Sequence, residues 1–173
     1  MRCFISINFP DAFKEEIKKI QNILPDFIKN KTNPENLHLT LKFLGEISNE
    51  KFKLVSEKLK EINFKRFFLN SGEIGLFDNN DKGVVWISLK NSEELQKKID
   101  DSLKEIFPTE KRFMSHLTIA RTKEIKDKKE FLEFLKTIKL NSFKFEVKEF
   151  YLMESKLTTQ GSIYKIVEKY ALD

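Results

Sequence analysis

Apolar residues along this chain change period several times, and each change marks an element. Residues 3–9, CFISINF, alternate in part and read as a buried strand. Phe13, Ile17, Ile20, Leu24, Phe27 and Ile28 then fall at helical spacing. Pro34 precedes a second strand, LHLTLKF, at 37–43. Ser48 stands where an N-cap would open a helix whose apolar stripe is Phe52, Val55, Leu59 and Ile62. A strand-like run follows at 64–77, with a bend expected near Gly72 and Gly75.

The same order then returns. VVWISL at 84–89 is a strand, and Asn91 with Glu94 suggests a capping pair for a helix carrying Leu95, Ile99, Leu103, Ile106 and Phe107. HLTIA at 116–120 is a strand. Asp127 with Glu130 opens a helix bearing Phe131, Phe134, Leu135 and Ile138. Residues 143–152 form one strand with Phe143, Phe145 and Val147 on one face and Lys144, Glu146 and Lys148 on the other. His38 and His116 lie 78 residues apart, and Ser48 and Asp127 lie 79 apart. Two β-α-β-α-β units, about 2–77 and about 84–154, therefore describe the chain better than two unrelated halves. The turn-rich segment 76–83 connects them. A final strand, about 162–172, is left to join one of the sheets. One α+β domain over 1–173 is expected, with two lobes sharing a cleft.

Composition adds a few bounds. Charged residues make up 34% and hydrophobic ones 40%, with seventeen Phe supplying much of the apolar volume, so the chain is globular rather than disordered. A net charge of +5 leans weakly toward polyanionic partners. The lysine runs, such as 126–129, read most simply as solvated helix faces. Cys3 is the only cysteine, which leaves no internal disulfide and no cysteine-based metal site. The apolar run at the start is too short for a signal peptide, and no stretch approaches the ~20 apolar residues of a membrane span. A cytoplasmic protein is the expectation.

Candidate chemistry rests on the two histidines, the only ones in the chain, because each is followed two residues on by threonine. Strand residues two apart share a face, so His38 projects with Thr40 and His116 with Thr118, while Leu37, Leu39, Leu41, Leu117 and Ile119 turn inward. A single histidine on a strand is usually structural. Two His-x-Thr stretches at equivalent places of a repeat, using every histidine available, point instead to a site. If a pseudo-twofold relates the units, the pairs face one another. Such a set suits in-line displacement at a phosphate, one imidazole taking a proton from the nucleophile and the other giving one to the leaving oxygen. The hydroxyls would bond the non-bridging oxygens. No HExxH or CxxC spacing is present, so no metal or other cofactor is expected; zinc shared by the histidines and a carboxylate is the minor alternative.

At these residues the sequence resembles the two-histidine (2H) phosphoesterase superfamily, and closely its LigT/ThpR-type RNA 2′,3′-cyclic phosphodiesterases. RCFISINFP is similar to the family's opening strand, PENLHLTLKFLGE to its first motif with flanks, HLTIAR to its second, and YLMESKL with GSIYKIV to its C-terminal strands. Two departures stand out: Ser115 replaces the Pro common before the second histidine, and Lys31 replaces an aromatic that often precedes the first motif. The resemblance implies a bilobal α+β fold with antiparallel sheets lining a cleft and helices outside. It implies hydrolysis of RNA 2′,3′-cyclic phosphates to 2′-phosphates, with 2′-5′ RNA ligation as the reverse-type activity.

Residue by residue, the resemblance places His38 as general acid, His116 as general base, Thr40, Thr118 and Arg121 on phosphate, and Phe43 at a base-stacking position. Phe43 and Arg121 lie five residues after their histidines, so strict alternation would turn them toward the core. Phe43 is thus either core or substrate-contacting, and Arg121 needs a twist or strand end to reach phosphate. The expected partner is RNA bearing a cyclic phosphate end, tRNA fragments being candidates, and a monomer is expected. Two other functions stay open: a 2H enzyme acting on a small cyclic nucleotide or an ADP-ribose cyclic phosphate, and a non-catalytic module holding RNA ends.

Overall fold

Pro10 and Pro25 bound the first helix in the computed structural model, which describes residues 1–79, 82–159 and 161–173. The first half of the chain runs β1 (Arg2–Asn8), α1 (Asp11–Ile23), β2 (Asn30–Lys31), β3 (His38–Glu46), α2 (Asn49–Lys60) and β4 (Phe67–Asn79). The second runs β5 (Lys82–Lys90), α3 (Glu93–Leu103), β6 (His116–Thr122), α4 (Lys128–Thr137), β7 (Lys144–Val147), β8 (Glu149–Thr158) and β9 (Gly161–Ala171). The centre of the 76–83 connector, Asn80 and Asp81, lies outside the described residues.

Local signals and structure agree at two helix starts. The Ser48 hydroxyl accepts the Lys51 amide at 3.3 Å, and the Asp127 carboxylate accepts the Glu130 amide at 2.8 Å. Two expectations need correction. α1 ends at Ile23 because Pro25 follows, so Leu24 and Ile28 are buried from a loop while Phe27 is largely exposed. Asn91 does not cap α3: its φ of 81° makes it a left-handed turn residue, and its side-chain amide donates to the Phe68 carbonyl at 2.9 Å. Ser92 is the cap residue, but its hydroxyl is taken by Ser115.

The strands lie in the order β7-β4-β5-β6-β3-β1-β8-β9, with β2 alongside β6, and all neighbours are antiparallel. Read outward from the centre, β6-β5-β4 mirrors β3-β1-β8. The last strand of each unit has therefore crossed to the other half of the sheet. The run 143–152 is not one strand: it breaks at exposed Lys148, β7 pairing with β4 at one end of the sheet and β8 with β1 in the opposite half. Its alternation changes parity at the break: Val147 is buried in one half, and Phe150 and Leu152, an odd number of residues on, are buried in the other. β9 is the strand left over, and it completes the β8 edge.

Helices cover one face. α1 and α4 pack on β6 and β4, while α2 and α3 pack on β9 and β3, enclosing a continuous apolar core. The two halves of the sheet meet through a single β3–β6 register pair, Leu39 with Leu117, both fully buried. One buried ion pair braces this joint. Lys42 on β3 bonds Asp100 on α3 and donates to the Pro108 carbonyl at 2.9 Å, and the Asp100 carboxylate also accepts the Glu110 amide at 2.6 Å. Burial pushes the Asp100 carboxyl up, but the bonds from Lys42 and Glu110 outweigh it and hold the group below its usual value.

Because Leu39 and Leu117 close the seam with no slack, Leu39→Ala or Leu117→Ala should each lower the unfolding free energy by about 2–5 kcal/mol in urea titrations. A loss under ~1 kcal/mol would show that the surrounding core, rather than this pair, carries the joint.

Candidate active site

The antiparallel match of Leu39 with Leu117 decides what lies near the seam. Stepping one residue either way sets His38 across from Thr118, and Thr40 across from His116. All four side chains are half-buried and lie on the face that carries no helix, while their strand neighbours Leu39, Leu41, Leu117 and Ile119 are buried against the helices. The alternation expected from the motifs is thus present on both strands.

Beyond Thr40 and Thr118 the alternation breaks, in the same way twice. Thr40 pairs with Ser6 and Lys42 with Ile5, so Leu41 is an extra residue; Thr118 pairs with Trp86 and Ala120 with Val85, so Ile119 is extra. A β-bulge shifts the parity of everything after it. Lys42 and Ala120 are buried, and Phe43 and Arg121 come back to the histidine face. Phe43 is 74% exposed, which overturns its reading as core. Arg121 is exposed, and its guanidinium makes no hydrogen bond or ion pair among the described residues.

The two imidazoles are held alike. Nδ1 of His38 lies 2.7 Å from the Asn36 carbonyl, and Nδ1 of His116 lies 2.8 Å from the Met114 carbonyl. A carbonyl can only accept, so each Nδ1 carries the hydrogen, and Nε2 of each neutral ring is a free base. Nε2 of His38 accepts the Thr40 hydroxyl at 3.0 Å. Aromatic rings flank both histidines: Phe4 and Tyr164 lie 4.8 and 5.1 Å from His38, and Phe77 lies 5.2 Å edge-on to His116. Trp86, beside Thr118, packs its indole against Gly75 and leaves no room there for a Cβ. Phe4 and Tyr164 lie in segments that resemble the family's first and last strands, whereas Phe77 and Trp86 carried no motif in the sequence, and all four reach the site through sheet pairing.

Burial lowers the pKa of His38, and the nearby positive charges of His116 and Arg121 lower it further, against the opposing bond to the Asn36 carbonyl. That coupling links Arg121 electrostatically to the first histidine. The two departures from the family pattern are placed as well. Ser115 is buried, its hydroxyl accepting from Ser92 at 2.6 Å and its carbonyl accepting from the Leu89 amide at 3.0 Å, so a hydrogen bond anchors the approach to His116. Lys31 is exposed on β2, paired with Ala120. Among the described residues, no group of three or more His, Cys, Asp or Glu side chains is arranged to hold a metal ion.

An antiparallel α+β fold with paired His-x-Thr strands on its open face defines a phosphoesterase class. The chain belongs to it: the family described as LigT like Phosphoesterase matches residues 7–86 and 89–164. The chain is 36% identical to an RNA 2′,3′-cyclic phosphodiesterase of Archaeoglobus fulgidus, covering 95% of this chain and 97% of that one. It is 34% identical to one of Methanocaldococcus jannaschii, covering 98% and 100%. The fold is similar to the crystal structure of E. coli LigT in apo form, with a TM-score of 0.81 over 99% of this chain and 96% of that one at 23% identity. No helix among the described residues is long and apolar enough to cross a membrane.

The site's electrostatics set one measurable outcome. Followed by NMR, His38 should titrate below the ordinary imidazole value of ~6.5, and Arg121→Ala should raise its midpoint. Since the folded value lies below the unfolded one, the unfolded chain binds the proton more readily. His38 should therefore cost stability as the pH falls through and below ~6.5. An unshifted midpoint in Arg121→Ala would separate Arg121 from this site.

Proposed function

We propose that this protein hydrolyses RNA 2′,3′-cyclic phosphate ends to 2′-phosphomonoesters without a metal ion, using His38 and His116 for proton transfer. One observation carries the reading. Both histidines are anchored through Nδ1 to the carbonyl two residues earlier, and both present a basic Nε2 on the open face at the seam. Binding alone has no use for two such groups. Two relatives above 30% identity over nearly the whole chain are named RNA 2′,3′-cyclic phosphodiesterases, which supports RNA as the substrate class.

The cyclic phosphate sits between the two motifs. Thr40 and Thr118 hydroxyls and the Arg121 guanidinium hold its non-bridging oxygens, where negative charge grows in the transition state. His116 takes a proton from water as the water oxygen bonds to phosphorus. The bond from phosphorus to the 3′-oxygen breaks on the opposite side, and His38 protonates that oxygen, leaving a 2′-phosphate and a 3′-hydroxyl. A 5′-hydroxyl of RNA in place of water would give a 2′-5′ linkage by the same steps, which is the ligase reading. Phe43, exposed beside this site, offers a stacking face for the terminal base.

One observation favours the reverse division of labour. The depressed pKa of His38 favours its neutral imidazole in the free protein, as a base should be. The bound phosphate's negative charge opposes that depression, and on this ground His38 keeps the acid role. A substrate with sulfur in place of the 3′-bridging oxygen decides between them. A thiolate leaves unprotonated because a thiol pKa is low, near ~8.5. His38→Ala should be largely rescued by this substrate and His116→Ala should not. Rescue of His116→Ala alone would reverse the roles, and rescue of neither would count against proton transfer by the pair. The parent reaction should also survive EDTA; loss on chelation with recovery on one divalent metal would defeat the metal-free scheme.

The threonines should stabilise charge rather than carry protons. Thr40→Val and Thr118→Val keep the β-branched shape and remove one donor, so kcat/KM should fall roughly 10- to 1,000-fold with the pH profile unchanged in form. Wild-type rates in both would assign the threonines to strand packing.

A further inference from the structure

Gln21 lies on the last turn of α1, only 4% exposed, and its side-chain amide spends both hydrogens on backbone carbonyls. It donates to Thr32 at 2.8 Å and to Ile119 at 2.7 Å. The Ile119 carbonyl also accepts the Thr32 amide at 2.9 Å. Thr32 belongs to the loop that leads to His38, and Ile119 is the extra residue of the β6 bulge. A single side chain thus ties the approach to one histidine to the kink in the opposite motif strand.

The second unit repeats the arrangement with different chemistry. Asp100 stands 79 residues after Gln21, at the equivalent place on α3. Its carboxylate accepts the Glu110 amide, in the loop leading to His116, and pairs with Lys42, the residue after the Leu41 bulge. Each helix therefore sends one buried polar group to the same joint of the other unit. A buried amide or carboxylate is tolerated only when its partners stay in place. Here the partners stay in place only while each bulge persists, and the bulges are what return Arg121 and Phe43 to the open face.

We infer that Gln21 is a positioning residue for Arg121, holding the β6 bulge so that the guanidinium faces the substrate phosphate, with Asp100 and Lys42 its counterpart beneath Phe43. The inference rests on the reading of Arg121 as a phosphate contact. Straightening β6 would restore strict alternation and turn the guanidinium toward the core. Gln21 itself is buried on the far side of the strand and touches no substrate.

Gln21→Met keeps the length and packing and removes both donors. With an oligonucleotide 2′,3′-cyclic phosphate, well below the variant's melting temperature, KM should rise about 5- to 20-fold and kcat stay within about 3-fold. Gln21→Met/Arg121→Ala should be no worse than Arg121→Ala alone, because both remove one interaction. The NMR midpoint of His38 should move part of the way toward its value in Arg121→Ala, a change that loosened packing elsewhere would not produce. Should the Met variant not fold, Gln21→Asn, whose amide falls one methylene short of the Ile119 carbonyl, is read in the same way. Wild-type KM and His38 midpoint with only a lowered Tm would overturn the inference, as would losses that multiply in the double variant. Wild-type KM in Arg121→Ala would instead overturn the phosphate contact, and the His38 midpoint would still judge the Gln21 link by itself.

Discussion

A single residue pair joins the two halves of the sheet, and the site depends on it. Leu39 and Leu117 are the middle residues of the two His-x-Thr stretches, and their antiparallel match is the one register pair between β3 and β6. Because side chains alternate along a strand, burying these two leucines obliges the flanking His and Thr of both strands to face the other way, together. The fold's internal symmetry and its candidate chemistry share one origin. The apolar contact that closes the core also gathers two imidazoles and two hydroxyls on the opposite face.

The bulges extend that logic by breaking it. A strand that alternated without interruption would offer the open face only a histidine and a threonine before its next residue of the right parity. One extra residue in each strand changes which side chains follow, adding a cation on β6 and an aromatic ring on β3. Bulges expose backbone groups and need support, and here it comes from buried polar side chains of the helices behind: an amide in one half, an ion pair in the other. The two units keep the geometry of this support while differing in its chemistry. What they retain is therefore the shape of the kink, with Phe43 and Arg121 free to differ.

Sheet topology supplies the remaining surroundings. Exchanging the third strand of each unit carries β4 beneath His116 and β8 toward His38, so each histidine is flanked by rings from distant sequence. Phe77 arrives with β4 and Tyr164 with β9. The exchange also interlocks the halves. Residues 64–66 leave β9's end, where Arg66 bonds the Asp173 carbonyl at 2.9 Å, before β4 enters the opposite half.

Much of this was legible in one dimension. Alternation and helical spacing located the long strands and all four helices, Ser48 and Asp127 announced their caps, and the 78-residue offset of the two motifs exposed the repeat. These signals are local: they depend on the period of a few neighbouring side chains or on one hydrogen bond three residues long. The sequence by itself also determined which groups could do chemistry, since it contains only two histidines and both carry a threonine two residues on. Tertiary structure alone decided the rest. The split of 143–152 at Lys148 shifts the buried parity by one residue, but only the partner strands reveal which half of the sheet each piece joins. The bulges at Leu41 and Ile119 arise from a mismatch in length between paired strands, which neither strand encodes alone. The work of Gln21, Asp100 and Lys42 depends on carbonyls and charges dozens of residues away. Periodicity is a property of one strand, whereas register is a property of two, and the facing of Phe43 and Arg121 was a question of register.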